Sequence, residues 1–169
     1  EGRQLTREEA YFTNQKLGQI RSLPKGYARE SADVGDEAYA DGRIAAKVIE
    51  RLELHQSETN SPFFIMAGFV KPHLPFTAPQ KYWDMHDPAD FSVMASQTAP
   101  EWAPAFAGKR GGEIVNYAPL TVENIQEITI QRKLMHGYYA AASYADAQIG
   151  KVLNTLDELK LSDNAIVVL

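Results

Sequence analysis

Apolar residues recur at intervals of three and four in the second quarter of the chain: Ile44, Ala45, Val48, Ile49 and Leu52. This spacing places them on one face of an α-helix, which we predict over roughly residues 36–55. Asp36 and Asp41 stand near its start, where an acidic side chain caps the helix or favours its dipole. The preceding residues 1–35 are polar and predict an irregular lead.

A continuous apolar run, FFIMAGFV, covers residues 63–70 after a polar loop. The run is too short for a separate buried helix, and parallel strands that are covered on both faces have this composition. We therefore predict a buried parallel strand that ends at Val70.

The chain has no proline after Pro119, and apolar positions keep helical spacing from Ile125 to Leu156. This pattern predicts one long helix, or two in line, with an N-cap candidate in residues 121–123. The apolar residues 165–169 then predict a second strand in the same sheet. Because the chain stops inside this strand, and the lead has none, we expect a fragment of a larger domain.

Eight of the nine prolines lie between Pro62 and Pro119, which predicts a long irregular excursion over residues 71–120. We expect a single α/β segment with helix and strand in residues 36–70, the proline-rich excursion between strands, and a long helix and strand in residues 121–169. The excursion would build one wall of a ligand pocket.

In open α/β sheets, ligands bind beyond the C-terminal ends of the strands. Lys71, Pro72 and His73 directly follow the predicted strand. Pro72 and Pro75 stiffen this loop, so its cation and imidazole are suited to donating hydrogen bonds to sulfuryl or phosphoryl oxygens. The spacing is equally consistent with a solvated Lys71 and a His73 that only ties down the loop.

The other three histidines predict packing or surface roles. His55 ends a polar helix face, and His136 lies in the long helix. His86 stands in a proline-flanked turn, where aspartates are common for local hydrogen bonding. Local hydrogen bonding is therefore favoured over a metal site for the residues of this turn, which are Asp84, His86, Asp87 and Asp90.

Composition narrows the classes of function. The 169 residues are 44% hydrophobic, which is enough for one compact core. A net charge of -5 without a Lys/Arg cluster argues against a nucleic-acid partner. The longest apolar run is far below the roughly 20 residues of a bilayer-spanning helix, so we expect no membrane span.

Several sequence motifs are absent from the chain. It contains no cysteine, no Walker A loop, no G-x-G-x-x-G and no G-x-S-x-G elbow. Disulfides, thiol nucleophiles and the usual nucleotide cradles are therefore excluded from these residues. The lack of cysteine does not fix a compartment.

Two long segments, PFFIMAGFVKPHLPFTAPQKYWDMHDP and QRKLMHGYYAAASYADAQIGKVLNTLDELKLSDNAIVVL, resemble the sulfatase family, and within it the iduronate-sulfatase branch. The resemblance covers about residues 33–169. It implies an alkaline-phosphatase-like fold, in which helices sandwich the sheet, and calcium-dependent hydrolysis of sulfate esters. It also implies a formylglycine nucleophile made from Cys or Ser in a C/S-x-P-x-R motif.

The resemblance assigns roles to two residues of the loop. His73 matches the histidine of the family's K-P-H-x-P-F segment, and Lys71 matches its lysine. It implies that His73 is catalytic, as hydrogen-bond donor or general acid toward the departing alkoxide, and that Lys71 and His73 bind substrate. The family's paired aspartates, its nucleophile motif and its D-H-G segment have no counterpart here. We therefore expect no metal ligand and no nucleophile in this chain.

These features together suggest the central part of a sulfuric-ester hydrolase that is inactive alone. Its partners would be the remaining segments of the sulfatase domain and a sulfated small molecule or polysaccharide, and the family suggests a periplasmic, secreted or lysosomal location. Two alternatives stay open. One is a phosphodiesterase or phosphonate hydrolase of the same superfamily, and the other is a non-catalytic α/β module that grips an anionic glycan.

Overall fold

The computed structural model describes residues 22–58, 61–94, 98, 100–104, 106 and 111–169. A small parallel sheet in this part of the chain consists of β1 (Arg29–Ala32) and β2 (Phe76–Pro79). Arg29 stands opposite Phe76, and Ala32 opposite Pro79. The sheet and the helices around it form a mixed α/β arrangement.

Three α-helices accompany the sheet in the described residues: α1 (Ala40–Glu58), α2 (Gln80–Trp83) and α3 (Ile128–Glu158). Short 3-10 turns connect these elements: Asp36–Ala38, Pro88–Asp90, Gly112–Asn116, Asn124–Gln126 and Ser162–Asn164. Both helices that the sequence predicts are present, and the long one is a single helix of 31 residues. None of the described helices is long and apolar enough to cross a membrane.

The long helix α3 packs on the sheet through small residues. Ala140 and Tyr144 are fully buried against Ala78 and the α2 side chains Tyr82 and Trp83. A Cβ on Gly137 would lie 3.1 Å from both the Phe76 Cβ and the Trp83 ring. Glycine and alanine therefore let the backbone of α3 approach β2 and α2 closely.

The same helix also packs against α1. Val48 and Leu52 of α1 form a buried cluster with Leu156 of α3. Leu52 is only 2% exposed, and burying such a side chain stabilises a fold by about 1.5–3 kcal/mol. This contact explains the helical spacing of the apolar residues in α1.

The two apolar runs predicted as strands are not strands in the structure, and this prediction is wrong. Residues 63–70 and 165–169 have no regular secondary structure, and none of the described strands pairs with them. Phe64 is 86% exposed and Ile166 is 94% exposed. A strand needs a hydrogen-bonded neighbour, and the amide of Val70 donates to a side chain instead.

The two strands found in the described residues lie where the sequence predicted irregular structure. β1 falls inside the expected lead, and β2 falls inside the expected excursion, which also carries α2. β1 has the sequence RESA and is mostly exposed, so it lacks an apolar signature. β2 has the sequence FTAP, and its four residues are too few to show a period.

The predicted N-cap region also has a different role. The α3 helix begins at Ile128, with Glu127 at its N-cap position. Thr121 and Asn124 instead exchange hydrogen bonds between side chains and amides around the 3-10 turn Asn124–Gln126. Thr121 and Asn124 therefore close a turn that begins four residues before the start of α3.

Candidate functional site

The Lys-Pro-His loop, residues 71–75, connects residues 63–70 to β2. The His73 amide donates to the Val70 carbonyl at 3.0 Å and closes a turn at its start. At its end, the Phe76 amide donates to the Ala28 carbonyl at 2.8 Å, which begins the pairing with β1. Both ends of the loop are therefore held by backbone hydrogen bonds.

Lys71 is buried beneath this loop and is only 9% exposed. Its ammonium Nζ donates to the carbonyl oxygens of His73 at 3.0 Å and Pro75 at 2.6 Å. Burial lowers the pKa of Lys71 to about 8, and the nearby Asp41 charge only partly opposes this shift. The side chain therefore holds the loop from inside.

Asp41 fixes the start of the loop from the first turn of α1. It is 1% exposed, and its two carboxylate oxygens each accept one backbone hydrogen bond at 2.9 Å, from the amides of Val70 and Lys71. These are the amides that a strand ladder would otherwise use. A carboxylate that accepts backbone N–H groups makes charge-assisted hydrogen bonds, which are stronger than neutral ones.

His73 is the exposed member of the loop, with 63% of its side chain accessible. Its Nδ1 lies 2.8 Å from the Leu74 carbonyl oxygen. Because a carbonyl only accepts, Nδ1 carries a proton, and Nε2 is left to face outward. Nε2 lies 3.6 Å from a carboxylate oxygen of Glu113, which also accepts a hydrogen bond from the Tyr117 hydroxyl.

A second buried carboxylate, Asp36, lies in the 3-10 turn ahead of α1 and binds side chains of α2 and α3. Burial disfavours its charge, but hydrogen bonds from four neighbours outweigh this and lower the pKa of Asp36 from 3.8 to about 2. The Lys81 ammonium lies 2.7 Å from Oδ1 as an ion pair. The other donors converge on Oδ2, and they are Lys151 at 2.5 Å, Tyr82 at 3.0 Å and Gln148 at 3.3 Å.

The other three histidines contact neighbouring residues. His136 Nε2 is 2.9 Å from the Trp83 carbonyl, His86 Nε2 is 2.8 Å from the Ser143 hydroxyl, and the His55 ring contacts Phe63. Asp87 accepts a hydrogen bond from the Ala89 amide, as expected of a turn aspartate.

Calcium does not fit the described part of the chain. No three histidine or acidic side chains group there as metal ligands. The whole sequence also has no cysteine and no S-x-P-x-R segment from which a formylglycine could be made. The described residues therefore supply neither a calcium site nor a formylglycine.

The family model described as Sulfatase matches residues 4–169. The chain belongs to the sulfatase family, which confirms the resemblance drawn from its sequence.

The relatives in this family have stated activities. The chain is 28% identical over 141 residues to the iduronate 2-sulfatase of Homo sapiens and 30% identical over 142 residues to that of Mus musculus. Each alignment covers 80% of this chain and 26% of the relative. A sulfatase of Formosa agariphila is 27% identical over 169 residues, which cover 95% of this chain and 32% of that protein. The chain thus spans about a quarter to a third of the length of these relatives.

The structure adds residues that the sequence reasoning did not assign to the site. Asp41 was expected only to charge a helix start, and its contact with Lys71 spans 30 positions. Glu113 was not singled out, because a lone acid in an irregular segment gives no signal of a histidine neighbour. Contacts between distant segments have no local signature in the sequence, so only the fold shows them.

Proposed function

We propose that these residues form the His73 side of the active site in a sulfuric-ester hydrolase with an alkaline-phosphatase-like fold. The observation that carries the proposal is the arrangement of the two ring nitrogens of His73. Its Nδ1 is fixed on a carbonyl, its Nε2 faces outward, and the loop beneath it is held by buried charges. Membership in the sulfatase family supports sulfate esters as the substrate class.

The chemistry of His73 follows from its two ring nitrogens. In the protonated ring, Nδ1–H stays on the Leu74 carbonyl, and Nε2–H donates to a sulfate oxygen or to the ester oxygen of the leaving group. When the S–O bond breaks, the sulfuryl group would pass to a nucleophile supplied from outside this chain, the bond electrons remain on the departing oxygen, and the Nε2 proton moves to it. His73 is then neutral, with its Nδ1–H bond unchanged. Glu113 faces the same nitrogen, so a bound sulfate would replace or share that contact.

Lys71 contributes differently from His73 in this proposal. Its ammonium already has two carbonyl acceptors inside the loop. We propose that its positive charge attracts sulfate from beneath the loop and that it binds substrate in this indirect way. A charge that acts equally on ground and transition states mainly affects KM.

Calcium and the formylglycine belong to the proposal only as groups supplied by other parts of a full-length sulfatase. The chain covers 26% of each iduronate 2-sulfatase it matches, so the activity, the substrate and the partner segments of a whole protein are proposals here. A periplasmic, secreted or lysosomal location also stays a prediction.

The test is the variant His73→Ala in the full-length protein that contains these residues, assayed with an aryl sulfate and a sulfated sugar. We expect kcat to fall by roughly 10²–10⁴, the range for losing a positioned proton donor. His55→Ala is the matched control, because His55 lies about 21 Å along α1 from Asp41 at 1.5 Å per residue. Wild-type turnover of His73→Ala at saturating substrate would disprove the assignment.

The same assay separates the alternatives that the sequence left open. A phosphodiesterase or phosphonate hydrolase would turn over a phosphate diester or phosphonate ester faster than the sulfate ester. A non-catalytic module would bind a sulfated glycan without turnover, and His73→Ala would then change only the dissociation constant.

A further inference from the structure

A buried acid with no assigned role holds the loop that carries His73. Asp41 is 1% exposed, and its hydrogen bonds from Val70 and Lys71 come from a segment about 30 positions away. Burying a charged carboxylate is costly unless it is well bonded. The hydrogen bonds that Asp41 accepts from the loop explain why a charged carboxylate is buried here.

The hydrogen bonds of the loop form a continuous chain that starts at Asp41. Asp41 binds the backbone of Lys71, and the Lys71 ammonium in turn binds the carbonyls of His73 and Pro75. The Asp41 charge also favours the charged form of the buried ammonium, because it raises the pKa of Lys71 against the effect of burial. The turn that carries His73 is thus held by hydrogen bonds to its backbone and by the buried charges of Asp41 and Lys71.

Asp41 is itself anchored to the most buried part of the fold. The next residue, Gly42, donates from its amide to the Tyr144 hydroxyl at 2.6 Å. A Cβ on Gly42 would lie 2.1 Å from the Asp36 carbonyl oxygen, so only glycine fits this close approach. Tyr144 is fully buried in α3. The first turn of α1 therefore has a fixed position from which Asp41 can orient the loop.

We propose that Asp41 is a positioning residue for His73. Its carboxylate transmits the fixed position of α1 to the Lys-Pro-His loop and so sets where the imidazole lies. This inference rests on the proposed function of His73, but the link between Asp41 and the loop can be measured separately.

The experiment compares Asp41→Asn with Asp36→Asn in the full-length protein. Asn has nearly the same shape as Asp, but its NH₂ would face an amide N–H, so one of the two backbone bonds is lost. We expect kcat of Asp41→Asn to fall about 10- to 100-fold, as for a small misplacement of a catalytic group, with KM near wild type. Asp36→Asn loses a comparably buried carboxylate that none of the described contacts joins to residues 70–75, and it should keep kcat.

A second readout does not depend on activity. Amide hydrogen exchange in a peptide that covers residues 70–75 should become faster in Asp41→Asn and stay unchanged in Asp36→Asn. A lower melting temperature in Asp41→Asn, with wild-type kcat below that temperature, would overturn the inference, because the acid would then be merely structural.

The remaining outcomes separate the inference from the proposed function. If His73→Ala keeps wild-type turnover, the function of His73 is wrong, and unchanged exchange in Asp41→Asn would overturn the positioning role as well. Should Asp41→Asn fail to fold, Lys71→Met tests the next link of the same chain. Faster exchange in residues 70–75 of this variant would support the proposal, and unchanged exchange would overturn it.

Discussion

The Tyr144 hydroxyl donates a hydrogen bond to the Asp36 backbone carbonyl at 2.9 Å, across 108 positions of sequence. The same hydroxyl accepts from the Gly42 amide at 2.6 Å. One side chain of α3 thus satisfies two backbone groups at the point where α1 begins. This contact fixes the region from which Asp41 reaches the loop of His73.

The first prediction concerns this hydroxyl. Tyr144→Phe keeps the buried ring but leaves the Gly42 amide without this partner, and the Asp36 carbonyl keeps only the bond from the Tyr39 amide at 3.3 Å. An unsatisfied buried polar group costs about 1–3 kcal/mol, and we expect a loss of this size in the free energy of unfolding. Denaturant titration of the full-length protein measures it. Tyr139→Phe, at a half-exposed position of the same helix, is the control, and an equal effect of both variants would contradict the prediction.

The second prediction concerns Asp36 and acid. Its pKa is about 2 in the folded protein and 3.8 ordinarily, so the folded state holds the charged form more strongly. The resulting stabilisation is complete above about pH 4 and is lost as pH falls toward 2. Because Lys81 and Lys151 are about half exposed and partly screened, we expect roughly 1–2 kcal/mol.

The measurement is unfolding free energy between pH 2 and pH 6 for the wild type and Asp36→Asn. The two curves should converge as the pH falls toward 2 and should differ by the full amount above about pH 4. Glu50→Gln is the control, since Glu50 forms an exposed pair with Lys47 that contributes little. A constant difference across this range would show that Asp36 is not the titrating group.

Residues with a helical period could be placed from the sequence, because packing against a core imposes that period directly. Val48 and Leu52 mark the buried face of α1, and Leu156 marks the partner face of α3. These are local patterns, and local patterns survive in the sequence.

The sheet and the support of the site could not be placed in the same way. The apolar run of residues 63–70 indicated a strand, but strands are defined by their neighbours, and the described residues offer it none. β1 is short and exposed, so its pairing with β2 leaves no hydrophobic signal. The role of Asp41 depends on a contact with Lys71 that only the folded chain creates.

The third prediction concerns Lys71 and base. Burial lowers the pKa of Lys71 from 10.5 to about 8, so the folded protein releases this proton more readily than the unfolded chain does. The contribution of Lys71 to stability should therefore rise as pH increases from about 8 to about 10.5, by about 3 kcal/mol at most. The neutral amine keeps two N–H donors for its two carbonyl acceptors.

Unfolding of the wild type and Lys71→Met across this pH range tests the assignment. Above pH 8, the free energy of unfolding of the wild type should rise relative to that of the variant. Lys47→Met is a control at an exposed lysine of α1, and its difference from the wild type should not grow in this way. A parallel course of the wild-type and Lys71→Met curves would place the Lys71 ammonium in contact with solvent.

The last prediction compares two glycines of α3. At Gly137, an added Cβ would lie 3.1 Å from the Phe76 Cβ and from the Trp83 ring, so Gly137→Ala should push the helix away from β2 and α2. Such overpacking costs typically about 1–3 kcal/mol, and the better helix propensity of alanine offsets up to about 1 kcal/mol of it. At Gly150, a Cβ meets no described atom within 4 Å, and Gly150→Ala should stabilise the helix by up to about 1 kcal/mol, because alanine is the better helix former. Thermal unfolding of the two variants measures both signs, and equal shifts would contradict the close packing of α3 on the sheet.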